Sequence, residues 1–106
     1  MNNKISEIKV LEKVKFDELE LLNLGDNNIS NIDILEKVNF KELKLLCFYN
    51  NKISDIKVLE KVKFEKLEIL DLGSNKLSNI DNFENVNFNE LKELNLYHNK
   101  ISDIKY

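Results

Sequence analysis

The sequence contains no arginine and no proline, and its 106 residues include one cysteine and two glycines. Surfaces that bind DNA or RNA cluster lysine and arginine to neutralise phosphates, and arginine commonly reads base edges. Here the 16 lysines are spread along a chain whose formal net charge is −3. We therefore expect no nucleic-acid partner.

Long apolar runs are also missing, because none approaches the roughly 18 residues of a membrane-spanning helix. We therefore expect no membrane insertion. Cys47 is the single cysteine, which excludes an internal disulfide and favours either a reducing compartment such as the cytoplasm or a bacterial setting. With glycine only at positions 25 and 73, the chain has no Gly-rich loop to cradle a phosphate.

The chain is rich instead in repetition. The pattern Asn-x-(Ile/Leu)-Ser-x-Ile recurs every 24 residues, beginning at Asn3, Asn27, Asn51, Asn75 and Asn99. A fixed period of this length is typical of solenoids, in which similar units stack on one another. We expect residues 1–106 to form a single domain of four units and a partial fifth turn, without evident capping units.

Each unit has three parts with different apolar spacing. The first, Leu-x-x-Leu-x-Leu-x-x-Asn, alternates apolar and polar residues near its end, which predicts a short strand with one buried face. The Ile-Ser-x-Ile turn follows. In the third part apolar residues recur every three positions, as at Ile56, Leu59 and Val62. This spacing predicts one or two short helical or 3-10 turns.

This arrangement resembles a leucine-rich repeat protein, and the resemblance runs from Asn3 to Ile104. The Asn-x-Ile-Ser-x-Ile segment is similar to the short repeats of internalins and phosphatase-regulatory proteins, with an added Val-x-Phe. The resemblance implies an α/β fold, a right-handed solenoid with a parallel β-sheet on its concave side. Short helical or 3-10 turns would then form the convex side.

Several sets of residues at the repeat spacing are expected to build the scaffold. Buried asparagines can satisfy backbone groups of adjacent turns, here Asn27, Asn51, Asn75 and Asn99. The serine hydroxyls of the turn should do the same, at Ser30, Ser54, Ser78 and Ser102. An aromatic column should stack near the outer wall, formed by Phe16, Phe40, Phe64 and Phe88.

Odd and even units also differ. Gly25 and Gly73 alternate with Tyr49 and Tyr97 just after the strand. The sign of the charge alternates at the start of the strand, through Glu20, Lys44, Glu68 and Lys92. Opposite charges on neighbouring strands stabilise the sheet weakly, and a slip by one unit would bring like charges together.

The exposed positions of the concave sheet are the first candidates for a binding site. An apolar row is expected at Leu21, Leu45 and Ile69, beside polar atoms from Cys47 and Asp71. Tyr49, Tyr97 and His98 should rim this surface. Aromatic anchors beside apolar residues are typical of protein interfaces. The alternative is that Leu and Ile simply favour strands and that each Tyr covers a neighbouring Gly.

Catalysis is not expected, because the reactive side chains fall in different units. Cys47 and His98 are two units apart, so their strands should be separated by about 10 Å, too far for a thiol–imidazole pair. Asp26, Asp71 and His98 are likewise too dispersed for a metal shell. We expect neither enzyme activity, nor a cofactor, nor a metal.

The sequence thus predicts a protein-interaction module that binds a protein partner on the concave sheet. A second hypothesis is a self-associating structural segment, or a fragment of a longer array, that forms homo-oligomers through uncapped terminal repeats. A third, implied only by the resemblance to internalins, is recognition of a cell surface or a glycan.

Overall fold

The structure is a computed structural model and describes residues 18–38 and 40–101. In this part of the chain, four short strands alternate with three 3-10 helices. The strands are β1 (Leu21–Asn23), β2 (Leu45–Cys47), β3 (Ile69–Asp71) and β4 (Glu93–Asn95). The helices are η1 (Asp33–Lys37), η2 (Lys57–Lys61) and η3 (Asp81–Asn85). Units 1 to 4 are named here after the strands that they contain.

The strands form one parallel sheet in the order β1-β2-β3-β4, so that each unit stacks on the unit before it. Each residue of a strand pairs with the residue 24 positions later, as Leu22 does with Leu46 and Leu46 with Leu70. The sheet lies on the concave side and the 3-10 helices on the convex side. The predicted α/β solenoid is therefore confirmed.

The convex helices are 3-10 because their apolar residues recur every three positions. In η2 the Leu59 N–H donates to Ile56 O at 3.0 Å, and the Val62 N–H donates to Leu59 O at 3.4 Å. These i-to-i+3 bonds place Ile56, Leu59 and Val62 on one face, where all three are buried. The same i-to-i+3 bonds recur in η1 and η3, so all three helices share this three-residue spacing of apolar residues.

The core lies between the sheet and the 3-10 helices and is best closed in units 2 and 3. Phe40, Phe48 and Phe64 are among its largest fully buried side chains. The ring centroids of Phe40 and Phe64 lie 6.2 Å apart and those of Phe64 and Phe88 lie 6.1 Å apart, both pairs stacked. Phe16, the remaining member of the expected aromatic column, lies outside the described residues.

An asparagine follows each strand, and Asn27, Asn51, Asn75 and Asn99 are called the Asn ladder here. The last three of them join neighbouring units. The Asn51 Oδ1 accepts from the Ile29 N–H of unit 1 at 2.9 Å. Its Nδ2 donates to Leu24 O of unit 1 and to Phe48 O of its own unit, both at 2.9 Å. Asn75 repeats these bonds between units 2 and 3. Each amide thus satisfies buried backbone groups of two units at once.

The serines of the turn do not share this role, and that expectation was wrong. Ser30, Ser54 and Ser78 are exposed. Within the described residues their hydroxyls make no hydrogen bond, and the neighbouring Ile29 and Ile53 N–H groups donate to the Asn ladder. Ser102 lies outside the described residues.

Candidate binding surface

The register of the sheet places Leu21, Leu45 and Ile69 side by side on the concave face, and they are called the apolar strip here. Leu21 is 56% exposed, whereas Leu45 and Ile69 are half-buried. Neighbouring strands lie about 4.8 Å apart, so the strip is about 10 Å long. Glu93 follows in the same column and ends it with a charge.

The next column has side chains that bond to the backbone of the following turns as well as facing the surface. It consists of Asn23, Cys47, Asp71 and Asn95. The Asp71 Oδ1 accepts from the Gly73 N–H at 2.9 Å and from the Asn95 Nδ2 at 2.9 Å. Asn23 and Asn95 also accept from the backbone N–H two residues later. Part of the hydrogen-bonding capacity that the sequence assigned to a partner is therefore used within the chain.

Cys47 occupies this column with a thiol in place of an amide or a carboxylate. The Tyr49 N–H lies 3.5 Å from its Sγ, a long and weak version of the same contact. Partial burial raises the pKa of the Cys47 thiol, and the negative charges of Asp71 and Asp26 raise it further. The thiol is thus protonated near neutral pH and is a poor nucleophile.

The two tyrosines beyond the strands have different environments. Tyr49 is 40% exposed, and its Cδ1 would lie 3.2 Å from a Cβ added at Gly73, so its ring covers that glycine. Tyr97 is 78% exposed. Tyr49 therefore covers a neighbouring glycine and keeps part of its ring accessible, whereas Tyr97 is largely exposed to solvent.

In all four units, the residue that follows the Gly or Tyr position adopts a left-handed backbone conformation. This conformation was not predicted from the sequence. The φ angles of Asp26, Asn50, Ser74 and His98 lie between 52° and 58°. Asn, Asp and His are enriched in this region among non-glycine residues, so their recurrence at one position was the available signal. Asn50 also donates from Nδ2 to the Asp26 Oδ1 at 2.9 Å. His98 thus lies at the edge of the sheet, in the turn.

At the opposite end of the strands, acidic and basic side chains pair between units. Lys44 lies 3.4 Å from Glu20, and Lys92 lies 3.8 Å from Glu68. The pairs form because the sign of the charge alternates from one unit to the next at this position. All four side chains are substantially exposed, so the pairs are screened by water and favour the observed register more than they add to stability.

The metal-ligating and nucleophilic side chains of the described residues are dispersed over different units. Within residues 18–38 and 40–101, no group of three His, Cys, Asp or Glu side chains is placed to hold a metal ion. Cys47 and His98 lie in units 2 and 4, with β3 between their strands. No helix in this part of the chain is long and apolar enough to cross a membrane.

Solved structures with a similar fold include two internalins of Listeria monocytogenes, among 41 matching chains. The first, internalin inlF, is 33% identical with a TM-score of 0.78, and the match covers 98% of this chain and 29% of that one. The second, internalin C2, is 29% identical with a TM-score of 0.76, covering 96% and 42% respectively. This chain therefore spans less than half the length of either. No curated protein matches the sequence.

A family model described as Leucine Rich repeats (2 copies) matches residues 41–85 and again residues 65–106. The two matches overlap and together cover more than half of the chain. Within the matched residues, a strand followed by an asparagine is seen in units 2 to 4, and a convex 3-10 helix is seen in units 2 and 3. The chain belongs to the leucine-rich repeat family.

Proposed function

We propose that this protein binds a partner protein on its concave sheet, with the apolar strip at the centre of the contact. Membership of the leucine-rich repeat family and the similarity to internalins support an interaction module in general. The observation that carries the proposal is the exposed Leu21 in register with Leu45 and Ile69. Apolar area that is contiguous and open to solvent marks an interaction surface.

Leu21 is the most exposed side chain of the strip. Its side chain is 56% exposed, and full burial of a leucine is worth about 1.5–3 kcal/mol, so covering the exposed part adds about 1–1.5 kcal/mol. Tyr97, which is 78% exposed, adds an aromatic anchor at the rim. Asp71, Cys47 and His98 supply polar atoms around the strip, which would orient the partner.

The proposal is tested by placing a photo-crosslinking amino acid at Leu21 and exposing the protein to an extract of its source organism. A partner on the concave sheet should crosslink from this position. The matched control carries the same amino acid at Lys57, an exposed position on the convex helix η2. It should not crosslink to that partner.

A second variant, Leu45→Asp, introduces a charge into the strip and should remove the crosslink from position 21. Circular dichroism must show that this variant is folded. Equal crosslinking from positions 21 and 57, no crosslinked partner, or a crosslink that survives Leu45→Asp in the folded protein would each contradict the proposal.

Self-association is a second candidate function, and one observation favours it. Side chains that are fully buried in units 2 and 3 have half-buried counterparts in unit 4, among them Leu94 and Leu96, and Phe83 of unit 3 is half-buried beside them. With Ile101 they line a cavity of about 720 Å³. Light scattering across a concentration series tests this function, since a mass that stays monomeric at all concentrations excludes it. Recognition of a cell surface or a glycan is a third alternative, favoured only by the similarity to internalins.

A further inference from the structure

Three lysines form a row at the edge of the sheet where the strands end. Lys52, Lys76 and Lys100 each follow an asparagine of the Asn ladder, in units 2, 3 and 4; they are called the lysine row here. Their backbone N–H groups donate to the carbonyls of Ile29, Ile53 and Leu77 in the preceding units, at 2.8 to 2.9 Å. The row therefore projects from a backbone that is fixed at the unit spacing of about 5 Å.

The lysine row differs from the charged column at the start of the strands. There glutamate and lysine alternate, and each Lys lies within 4 Å of a Glu. In the lysine row the charges are all positive and all exposed. Within the described residues none of the three has an ion-pair partner. A chain with a net charge of −3 thus carries a local excess of positive charge along one edge.

Most residues around the row are hydrogen-bonding groups without negative charge, and the acidic neighbours Asp26 and Asp55 both lie near its unit 2 end. The position two residues earlier is occupied by Asn50, Ser74 and His98 in the three units with lysines. Two residues later, Ser54 and Ser78 are exposed. Asp26 is the acidic member of the first of these columns and lies in unit 1, where the lysine position is held by Asn28. Its carboxylate accepts from the Asn50 Nδ2 at 2.9 Å, which leaves Lys76 and Lys100 as the lysines farther from it. Cations flanked by amide and hydroxyl groups suit a carboxylate ligand.

We propose that the lysine row binds an acidic segment of a partner protein, with its carboxylates spread across units 2 to 4. Like charges stacked at the unit spacing repel one another, so the row costs the fold stability that an alternating row would not. An anionic ligand relieves that repulsion. The proposal does not depend on the apolar strip, which is tested separately at Leu21 and Leu45.

A protein segment fits the row better than a nucleic acid. Three lysines span about 10 Å, whereas nucleic-acid surfaces often neutralise about 6–10 phosphates. The sequence has no arginine, and its net charge of −3 repels a long polyanion. A short acidic peptide meets only the local positive field, and the exposed serines can donate to its carboxylates.

The test uses a short fluorescent peptide in which glutamate alternates with glycine, and its anisotropy is measured with the whole protein at low ionic strength. Binding should weaken as salt is added. A matched peptide with glutamine in place of glutamate should not bind. Lys76→Glu should weaken binding of the glutamate peptide roughly five- to tenfold, because one attraction at about 5 Å becomes a repulsion.

The matched control is Lys63→Glu, which makes the same change in net charge at an exposed lysine on the convex side. Its affinity should stay within about twofold of the unchanged protein, since position 63 is remote from the row. Lys76→Glu should remain folded, because it places a glutamate between two lysines and makes the row alternate. A thermal melt checks this.

Several results would overturn the proposal. One is the absence of peptide binding at low ionic strength, and another is equal weakening by Lys63→Glu and Lys76→Glu, which would show a response to net charge alone. A labelled oligothymidylate that binds more tightly than the peptide and loses affinity with Lys76→Glu would assign the row to nucleic acid instead.

Discussion

Asn51→Ala is the substitution that tests the structural logic of this fold most directly. Its side chain is buried, and its Oδ1 is the acceptor for the buried Ile29 N–H at 2.9 Å. Among the described residues that amide has no other acceptor. An unsatisfied buried donor costs about 1–3 kcal/mol.

The donor side of Asn51 adds less to the total. Its Nδ2 bonds Leu24 O and Phe48 O, but Leu24 O also accepts from Asn27 and Phe48 O from Asn75. Both carbonyls therefore keep one partner, and losing the second bond costs about 1 kcal/mol in all. The expected loss for Asn51→Ala is about 2–4 kcal/mol. For a chain of this size that lowers the urea midpoint by about 1–2 M.

The control is Asn31→Ala, the same substitution at an exposed asparagine whose Oδ1 accepts only the Asp33 N–H. Water replaces that contact, so the loss should be at most about 1 kcal/mol. Urea unfolding followed by circular dichroism gives both values. Equal losses for the two variants would refute the argument, because they would show that the Ile29 amide is satisfied without Asn51.

Three further predictions concern the core, the turn and the thiol. Phe64→Ala should lower the free energy of unfolding in urea by about 3–5 kcal/mol, more than Phe88→Ala does, because Phe64 is fully buried and Phe88 only half-buried. Equal losses for the two variants would contradict this dependence on burial. Ser74→Val should cost at least about 1 kcal/mol in the same assay, because Ser74 has a φ of 52° that a β-branched residue resists, whereas a loss with Ser74→Gly as well would refute this. At about pH 8.5 iodoacetamide should alkylate Cys47 more slowly in the folded protein than in urea, because burial raises the pKa of the thiol and lowers its thiolate fraction; equal rates would show that the thiol is not shielded.

The arrangement of the columns could be predicted from the sequence because the period is constant. A residue and its equivalent 24 positions later must become neighbours once the units stack, so the sequence alone predicts Leu21 beside Leu45 and Phe40 beside Phe64. The Asn ladder was predictable for the same reason. A buried amide at a chain turn has few partners other than the backbone groups around it.

The orientation of single side chains could not be predicted in the same way. Tyr49 and Tyr97 occupy equivalent positions, yet one covers a glycine and the other is largely exposed, because only Tyr49 has a following unit among the described residues to lie against. The serines of the turn were expected to bond backbone groups of adjacent turns, but asparagines bond the Ile29 and Ile53 amides and the serines are exposed. Competition between two polar groups for one amide depends on distances that a repeat pattern does not contain.

The lysine row can be read from the sequence, but the composition of the whole chain does not reveal it. Counted over the whole chain, the lysines look dispersed, and the formal charge is negative. Sorted by position within the unit, Lys52, Lys76 and Lys100 fall in one column. In a repeat protein the composition of each column therefore says more about a surface than the composition of the chain.

The alternation between odd and even units has a consequence for lengthening this protein. Inserting a single copied unit would set Glu against Glu, or Lys against Lys, at the start of the strands, and would place two tyrosines or two glycines on adjacent turns. Inserting two consecutive units preserves every one of these contacts. The building block for engineering a longer array is thus a pair, and arrays extended by pairs should fold where arrays extended by one unit lose stability.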